Sequence, residues 1–256
     1  MSEYAIYKLQ GKVAVITGGT KGIGFAIAKA YAKAGANVVV ASRTAKDCET
    51  AAKELEKLGV QALGIPTDVS KISEIEKLNK IVLDKFGTID ILVNNAGSAI
   101  TKRAVDLTEQ DWDFILDLDL KSVFFCSQIL GKVMRDKKQG RIINIASAAA
   151  FMGEKQLLPY CCAKAGVLQI SKVLALEWSK EFNITINSIC PGYFITEMNR
   201  EELQKEKVRS VVTSRIPMGR VGELHELEGC ALYLASEQSS YMTGQYIIVD
   251  GGRLAR

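Results

Sequence analysis

The sequence predicts a doubly wound α/β fold: a parallel sheet of about seven strands with helices on both faces. Three observations predict it. Short apolar runs alternate with longer stretches of helical spacing along the whole 256 residues. The runs are apolar on consecutive positions, as strands covered on both sides require. Three of the helical stretches close on a glycine (Gly35, Gly59 and Gly87), the residue that most readily takes the left-handed conformation at a helix end.

Taken in order, Lys12 to Thr17 is a buried strand that runs into Gly18-Gly19, and Ile23 to Ala34 is the first helix. Asn37 to Ala41 is the second strand, Ala45 to Leu58 a helix, and Val60 to Ile65 the third strand. Ser70 to Phe86 is a helix and Ile89 to Val93 the fourth strand. A long helix is expected from Thr108 to about Lys138, with Thr108 and Asp111 spaced as an N-cap pair. Arg141 to Ala146 is the fifth strand, Tyr160 to Phe182 a helix, and Thr185 to Ile189 the sixth strand. Glu223 to Ser236 is a helix and Tyr246 to Val249 the last strand. With no internal repeat, low-complexity tract or linker, residues 1–256 are expected to form one domain.

Composition removes several function classes. The net charge of +4 is small, and its charges alternate in sign along the helices, as in Lys53-Glu54-Leu55-Glu56-Lys57, so no nucleic-acid surface is expected. None of the six cysteines forms a C-x-x-C pair and the only histidine is His225, so no metal site is expected. His225 sits in the charged stretch Glu223 to Glu228, where a solvated surface role fits better than a hydrolase triad. Free thiols suit a reducing cytosol, and the N-terminal stretch Met1 to Gly11 carries no signal-peptide core. No apolar run reaches the length of a membrane span, so a cytoplasmic protein is expected.

In sheets of this kind ligands bind beyond the carboxyl ends of the strands. After the first strand comes Thr17-Gly18-Gly19-Thr20-Lys21-Gly22-Ile23-Gly24, a turn that opens a helix. Glycines there let the backbone approach a pyrophosphate, whose charge meets the helix N-terminus. The second strand ends in Ala41-Ser42-Arg43 without an acid. An acid at that place binds a ribose 2′-hydroxyl and a cation accommodates a 2′-phosphate, so Arg43 with Lys21 favours NADP(H) over NAD(H). Asp68 and Val69 follow the third strand; Asp68 suits an adenine amino group, a helix cap, or both. Asn94-Asn95-Ala96-Gly97 follows the fourth, where the amides fit a ribose and a plain turn equally.

Ser147 follows the fifth strand, and thirteen residues later comes Tyr160-Cys161-Cys162-Ala163-Lys164. Positions i and i+4 share a helix face, so the Lys164 ammonium is expected near the Tyr160 phenol. A neighbouring cation favours the phenolate, and a phenol brought within reach of neutral pH from its free value of about 10 is a competent general acid/base. Ser147 is placed to hold the same substrate oxygen.

Together these motifs resemble the short-chain dehydrogenase/reductase family, in its short single-domain branch, from about Lys12 to Gly252. The resemblance implies a Rossmann-type fold and an oxidoreductase that interconverts a ketone and a secondary alcohol with NADP(H). It implies that Tyr160 gives or takes the substrate proton, that Lys164 binds the nicotinamide ribose, and that Ser147 orients the substrate. Asp68 and Val69 would meet the adenine and Asn95 the ribose. Gly97 belongs to the same matched motif. Pro191, Gly192, Phe194 and Thr196 would hold the nicotinamide end. A homotetramer is implied too, because Ile247 to Gly252 is similar to the family's tetramer-forming ending. The chain also resembles 3-oxoacyl carrier reductases, and Pro191 to Met198 is similar to sugar-acid 5-ketoreductases of the gluconate 5-dehydrogenase type.

One position departs from the pattern. The family usually carries Asn within a stretch like Asp117 to Lys121, where its backbone carbonyl, at a helix kink, binds a water leading to the lysine; this chain carries Asp119. Activity is expected to survive, because a backbone acceptor does not depend on its side chain. The substrate wall is expected from Ser98 to Lys102, Ala149 to Leu158 and Tyr193 to Arg215, with Phe151, Met152 and Leu157 facing the site. Asn199 to Arg209 reads equally as a mobile lid or a solvated helix face. The alternative function is a non-catalytic NADP-binding redox sensor or scaffold, which would have no use for the Ser147, Tyr160 and Lys164 set.

Overall fold

The computed structural model of the chain describes residues 5–196 and 200–255. Its centre is a seven-stranded, wholly parallel sheet in the order β3-β2-β1-β4-β5-β6-β7. The strands are β1 Val13–Thr17, β2 Asn37–Ser42, β3 Ala62–Pro66, β4 Ile91–Asn94, β5 Gly140–Ile145, β6 Ile184–Pro191 and β7 Tyr246–Val249. Every residue of β1, β4, β5 and β6 is buried, which is why these runs lack the alternation of a one-sided sheet.

Helices α1 (Gly22–Lys33), α2 (Ala45–Glu56) and α3 (Ile72–Phe86) connect the first four strands. On one face Ile27 and Tyr31 of α1 pack with the sheet and with Ala231 and Leu232 of a later helix; the buried Tyr31 hydroxyl donates to the Ala231 carbonyl at 3.0 Å. On the other face Ile75, Leu78 and Val82 of α3 pack with Cys126 and Leu130. Each fully buried Leu or Ile contributes about 1.5–3 kcal/mol relative to exposure. Thr108 and Asp111 form the expected reciprocal cap.

The single long helix expected over residues 108–138 is instead built in pieces. They are α4 (Glu109–Leu116), a π-helical segment (Asp117–Lys121), α5 (Ser122–Leu130) and α6 (Lys132–Asp136). In the π segment the Ser122 N–H reaches back five residues to the Asp117 carbonyl, so one extra residue is held in the turn. After β5 comes α7 (Leu158–Phe182), which starts two residues before Tyr160 with Pro159 in its first turn and ends at Asn183 in the left-handed region. The charged stretch after residue 199 forms two short helices, α8 (Arg200–Gln204) and α9 (Glu206–Thr213). Glu197, Met198 and Asn199 of the expected substrate wall lie outside the described residues. The helix expected from Glu223 begins as a 3-10 turn over Leu224–Leu227 and continues as α10 (Glu228–Ala235).

A buried polar network crosses the middle of the sheet beneath α7. Asn94 Nδ2 on β4 donates to Asn144 Oδ1 on β5 at 2.8 Å and to Ser127 Oγ on α5 at 3.0 Å. Asn144 Nδ2 donates to Ser171 Oγ on α7 at 2.8 Å, and Ser171 Oγ lies 2.8 Å from Ser188 Oγ on β6. At the opposite end of the sheet Asp90 accepts the Val13 N–H at 2.8 Å and pairs with Lys137 at 2.6 Å.

Candidate active site

The strand order reverses between β1 and β4, and the crevice beyond their carboxyl ends is where this topology places ligands. A cleft of about 230 Å3 opens there, lined by Gly18, Thr20, Lys21, Gly22 and Ile23 from the glycine-rich turn. Ser42 and Arg43 after β2, Asp68 and Val69 after β3, Asn95 and Gly97 after β4, and Thr196 complete the part that the sequence predicts. Gly24 lies just behind, buried in the first turn of α1.

The turn is shaped for a close backbone approach. Gly18 has φ +62°, and a Cβ on it would stand 2.8 Å from Asn95 Nδ2 and 2.9 Å from Ala96 Cα. Asn95 is the clamp: its Nδ2 donates to the carbonyls of Thr17 and Gly18, each at 3.0 Å. Thr17 Oγ1 accepts in return from the N–H groups of Asn95 and Ala96 at 3.0 and 3.1 Å. The first N–H groups of α1 therefore open into the cleft beside two exposed cations, Lys21 and Arg43. Asp68 does not cap α3, whose N-cap position is Lys71 with no side-chain cap bond; its Oδ1 instead accepts from Ser70 N and Oγ at 3.1 and 2.7 Å in the turn before the helix, and the residue lines the cleft. Burial pushes the Asp68 carboxyl up, but the Ser70 donors, Lys71 and Arg43 outweigh it and hold the group below its ordinary range. A helix N-terminus, flanking cations and a side-chain-free turn fit the pyrophosphate and phosphates of a nicotinamide dinucleotide.

A second cleft of about 230 Å3 shares Ile23, Asn95, Gly97 and Thr196 with the first and continues past β5 and β6. It is lined by Ser147, Tyr160, Lys164, Asp119, Pro191, Gly192 and Phe194, so every predicted residue of the catalytic and nicotinamide ends meets here. Ser147 lies two residues past the end of β5 and caps the 3-10 turn Ala148–Ala150, its Oγ accepting the Ala149 N–H at 3.1 Å. Tyr160 and Lys164 stand one turn apart on α7, with Lys164 Nζ 5.5 Å from the Tyr160 ring centre. Lys164 is buried; its Nζ donates to the Ile145 carbonyl at 3.1 Å and pairs with Asp119 Oδ2 at 3.2 Å. Burial alone would push the ammonium down, but the charges of Asp119 and Tyr160 more than reverse it, and the net shift is upward.

Asp119 sits at the kink, as the sequence predicts. Its side chain brings a negative charge to Lys164: the carboxylate is fully buried, pairs with Lys164 directly, and accepts the Ser98 N–H at 2.8 Å. The aromatic part of the expected substrate wall is corrected. Phe151 packs against the Tyr246 ring of β7 with centroids 4.8 Å apart, and neither it nor Met152 or Leu157 lines either cleft. Tyr193 does line the catalytic cleft, backed by the Arg253 guanidinium 4.6 Å from its ring, and Arg253 in turn pairs with Glu154. Sequence reasoning missed Thr67, Ala96 and Leu118 in the first cleft and Ile145 and Ala146 in the second; Thr67 and Ala146 follow directly on strand ends, where the strand-end rule could have found them. His225 is a surface residue, 3.6 Å from Glu223. Among the described residues there is no group of three metal-ligating side chains, and no helix is long and apolar enough to cross a membrane.

Residues 18–253 match the family model described as enoyl-(acyl carrier protein) reductase. With this fold, cleft and match, the chain belongs to the short-chain dehydrogenase/reductase family and is an oxidoreductase of that family. Its relatives define a narrower circle. It is 40% identical over 252 residues to 2-dehydro-3-deoxy-D-gluconate 5-dehydrogenase of Escherichia coli (strain K12), covering 98% of each chain. It is 34% identical to 5-keto-D-gluconate 5-reductase of the same organism, over 97% of this chain and 98% of the other. Among solved structures it superposes on a gluconate 5-dehydrogenase from Burkholderia cenocepacia J2315, in complex with NADP and tartrate, with a TM-score of 0.94 at 32% identity and 99% coverage of both chains.

Proposed function

We propose that the chain interconverts a keto group and a secondary alcohol on a small sugar acid, using NADP(H). The observation that carries this is the convergence of Ser147, Tyr160 and Lys164 on a cleft continuous with one rimmed by Lys21 and Arg43. When bound, the dinucleotide supplies the hydride in one direction and receives it in the other. The protein's own part is positional and acid–base. The α1 N-terminus and the glycine-rich turn receive the pyrophosphate, and Lys21 and Arg43 a ribose 2′-phosphate. Asp68 and Val69 flank the adenine. Lys164 holds its ammonium where ribose hydroxyls would lie, and Pro191, Gly192, Phe194 and Thr196 wall the nicotinamide end. Ser147 Oγ holds the substrate oxygen while the Tyr160 hydroxyl gives it a proton in reduction or takes one in oxidation.

The hydroxyls of Ser98, Ser147, Tyr160, Tyr193 and Thr196 give the catalytic cleft a polar wall suited to a polyhydroxylated acid. The gluconate-type relatives support the same substrate class. Cofactor and substrate would thus be handled within one domain. A homotetramer is part of this proposal, supported by the edge strand β7, which leaves Tyr246 and Ile248 each 39% exposed; sedimentation of the purified protein tests it.

The test of function is NADPH and NADH oxidation across sugar keto acids, β-ketoesters, diketones and ketosteroids, with Tyr160→Phe as control. The expected result is turnover with NADPH on a sugar keto acid that Tyr160→Phe abolishes. Binding of NADPH without turnover on any substrate would favour the non-catalytic sensor or scaffold.

A further inference from the structure

We propose that Asp119 is a positioning residue whose carboxylate, paired with Lys164 in the protein interior, cancels the positive charge beside Tyr160 and so sets the pH range in which Tyr160 exchanges its proton. This rests on the reading of Tyr160 as the proton-transfer group.

The geometry separates Asp119 from an ordinary surface partner. Its side chain is fully buried and that of Lys164 is 5% exposed, so solvent does little to screen the 3.2 Å pair. The carboxylate is fixed from two sides. The π segment turns it inward, and the Ser98 N–H holds Oδ1 at 2.8 Å. Gly97 leaves the room: a Cβ there would stand 2.8 Å from Asp119 Oδ2 and 3.3 Å from Lys164 Nζ.

Three groups face the Lys164 ammonium besides the carbonyl of Ile145: Asp119 from the π segment, Tyr160 from its own helix and Cys190 from β6. Burial pushes the Cys190 thiol up to about 12, so it brings no charge in the working range. Of the groups that face the ammonium, Asp119 is therefore the one that brings an opposing charge. A lysine without this partner would favour a phenolate by its full charge; here the carboxylate opposes it from a place just beyond the ammonium.

The distances fix the size of the effect. With Asp119 Oδ2 3.2 Å from Nζ and Nζ 5.5 Å from the ring centre, the carboxylate lies within about 9 Å of the Tyr160 ring, and at an effective dielectric of about 20 its removal moves the proton equilibrium by about one and a half pH units. The test is an ultraviolet titration of phenolate formation, taken as the difference between the full-length protein and its Tyr160→Phe variant. It is run with Asp119 intact and again with Asp119→Asn, alongside the pH profile of alcohol oxidation.

The expected result is a Tyr160 titration about one and a half units lower in Asp119→Asn, with the acid limb of oxidation moving by the same amount. An unshifted titration, an upward shift, or lower activity with both limbs in place would overturn the proposal and leave Asp119 a structural residue. Should Asp119→Asn melt below the assay temperature, Asp119→Ser, which keeps an acceptor for Ser98, is titrated instead and must show the same displacement. The spectroscopic titration needs no substrate. Absence of turnover on every substrate would therefore refute the proposed function without deciding the role of Asp119.

Discussion

Replacing Asn144 by leucine tests how firmly the catalytic helix is fastened to the sheet. Asn144 is wholly buried and makes two side-chain hydrogen bonds of 2.8 Å, accepting from Asn94 Nδ2 and donating to Ser171 Oγ. Leucine fills similar space and returns neither. Asn94 keeps Ser127, and Ser171 keeps the Val167 carbonyl and Ser188, so neither partner is stranded entirely. Two net hydrogen bonds, plus part of the desolvation of the donor and acceptor left behind, amount to about 2–3 kcal/mol. In a chain of this size that lowers Tm by about 4–12 °C. The assay is thermal unfolding at fixed protein concentration, since an oligomer's Tm depends on it. Ser171→Ala is measured beside it, and in combination the two should destabilise by less than their separate effects because they break one bond in common. A Tm change under about 1 °C, or strict additivity, would refute the view that this network ties α7 to β5.

Three further outcomes follow from the geometry. Arg43→Ala removes a cation from the first cleft and should raise the KM for NADPH by about tenfold while leaving that for NADH unchanged; an equal rise for both would remove the 2′-phosphate role. Lys137→Met loses bonds of 2.6–2.8 Å to Asp90, Ile89 and Thr88 at the end of the sheet remote from the clefts, and should cost about 1–2 kcal/mol in urea unfolding with unchanged kcat and KM; a drop in kcat would contradict that separation. Lys102 and the N–H and hydroxyl of Thr108 hold the Asp111 carboxyl down to about 2. A depressed carboxyl stabilises the fold fully above its unfolded pKa of about 4 and loses that contribution as pH falls through the folded value. The urea midpoint of Asp111→Asn should therefore lie below that of the parent at neutral pH and converge with it between about pH 4 and pH 2; a constant gap across that window would count against the assignment.

Much of this was legible in the sequence because the physics behind it is local. A strand covered on both sides is apolar on consecutive positions, so the VAVI run of β1 and the VVVA run of β2 announce themselves, whereas β5 and β6 carry the buried polar residues Asn144 and Ser188. The Thr108–Asp111 cap depends on three-residue spacing, and Gly87 at φ +70° ends α3 by a rule that needs no tertiary context. Lys21 and Arg43 could be placed together because parallel strands end at one edge. What stayed hidden depends on partners distant in sequence. The π segment carries no periodicity of its own over five residues. Phe151 read as substrate wall because nothing local reveals that Tyr246, ninety-five positions on, stacks against it. The polar network joins residues up to fifty apart.

The extra residue in the π segment also puts the two halves of its helix out of phase. A wheel drawn straight from Glu109 to Leu130 at 100° per residue misplaces everything beyond Lys121 by about one residue's rotation. The half before the bulge buries Ile115, and the half after it buries Val123, Cys126 and Leu130. One rod therefore presents a carboxylate sideways into the catalytic cleft without surrendering its apolar stripe to either side. Shortening the segment by one residue would restore a regular α-helix and force a choice: either Asp119 swings away from Lys164, or the entire stripe of α5 rolls off the sheet. Length in this short stretch is thus as constrained as the identity of any side chain it carries.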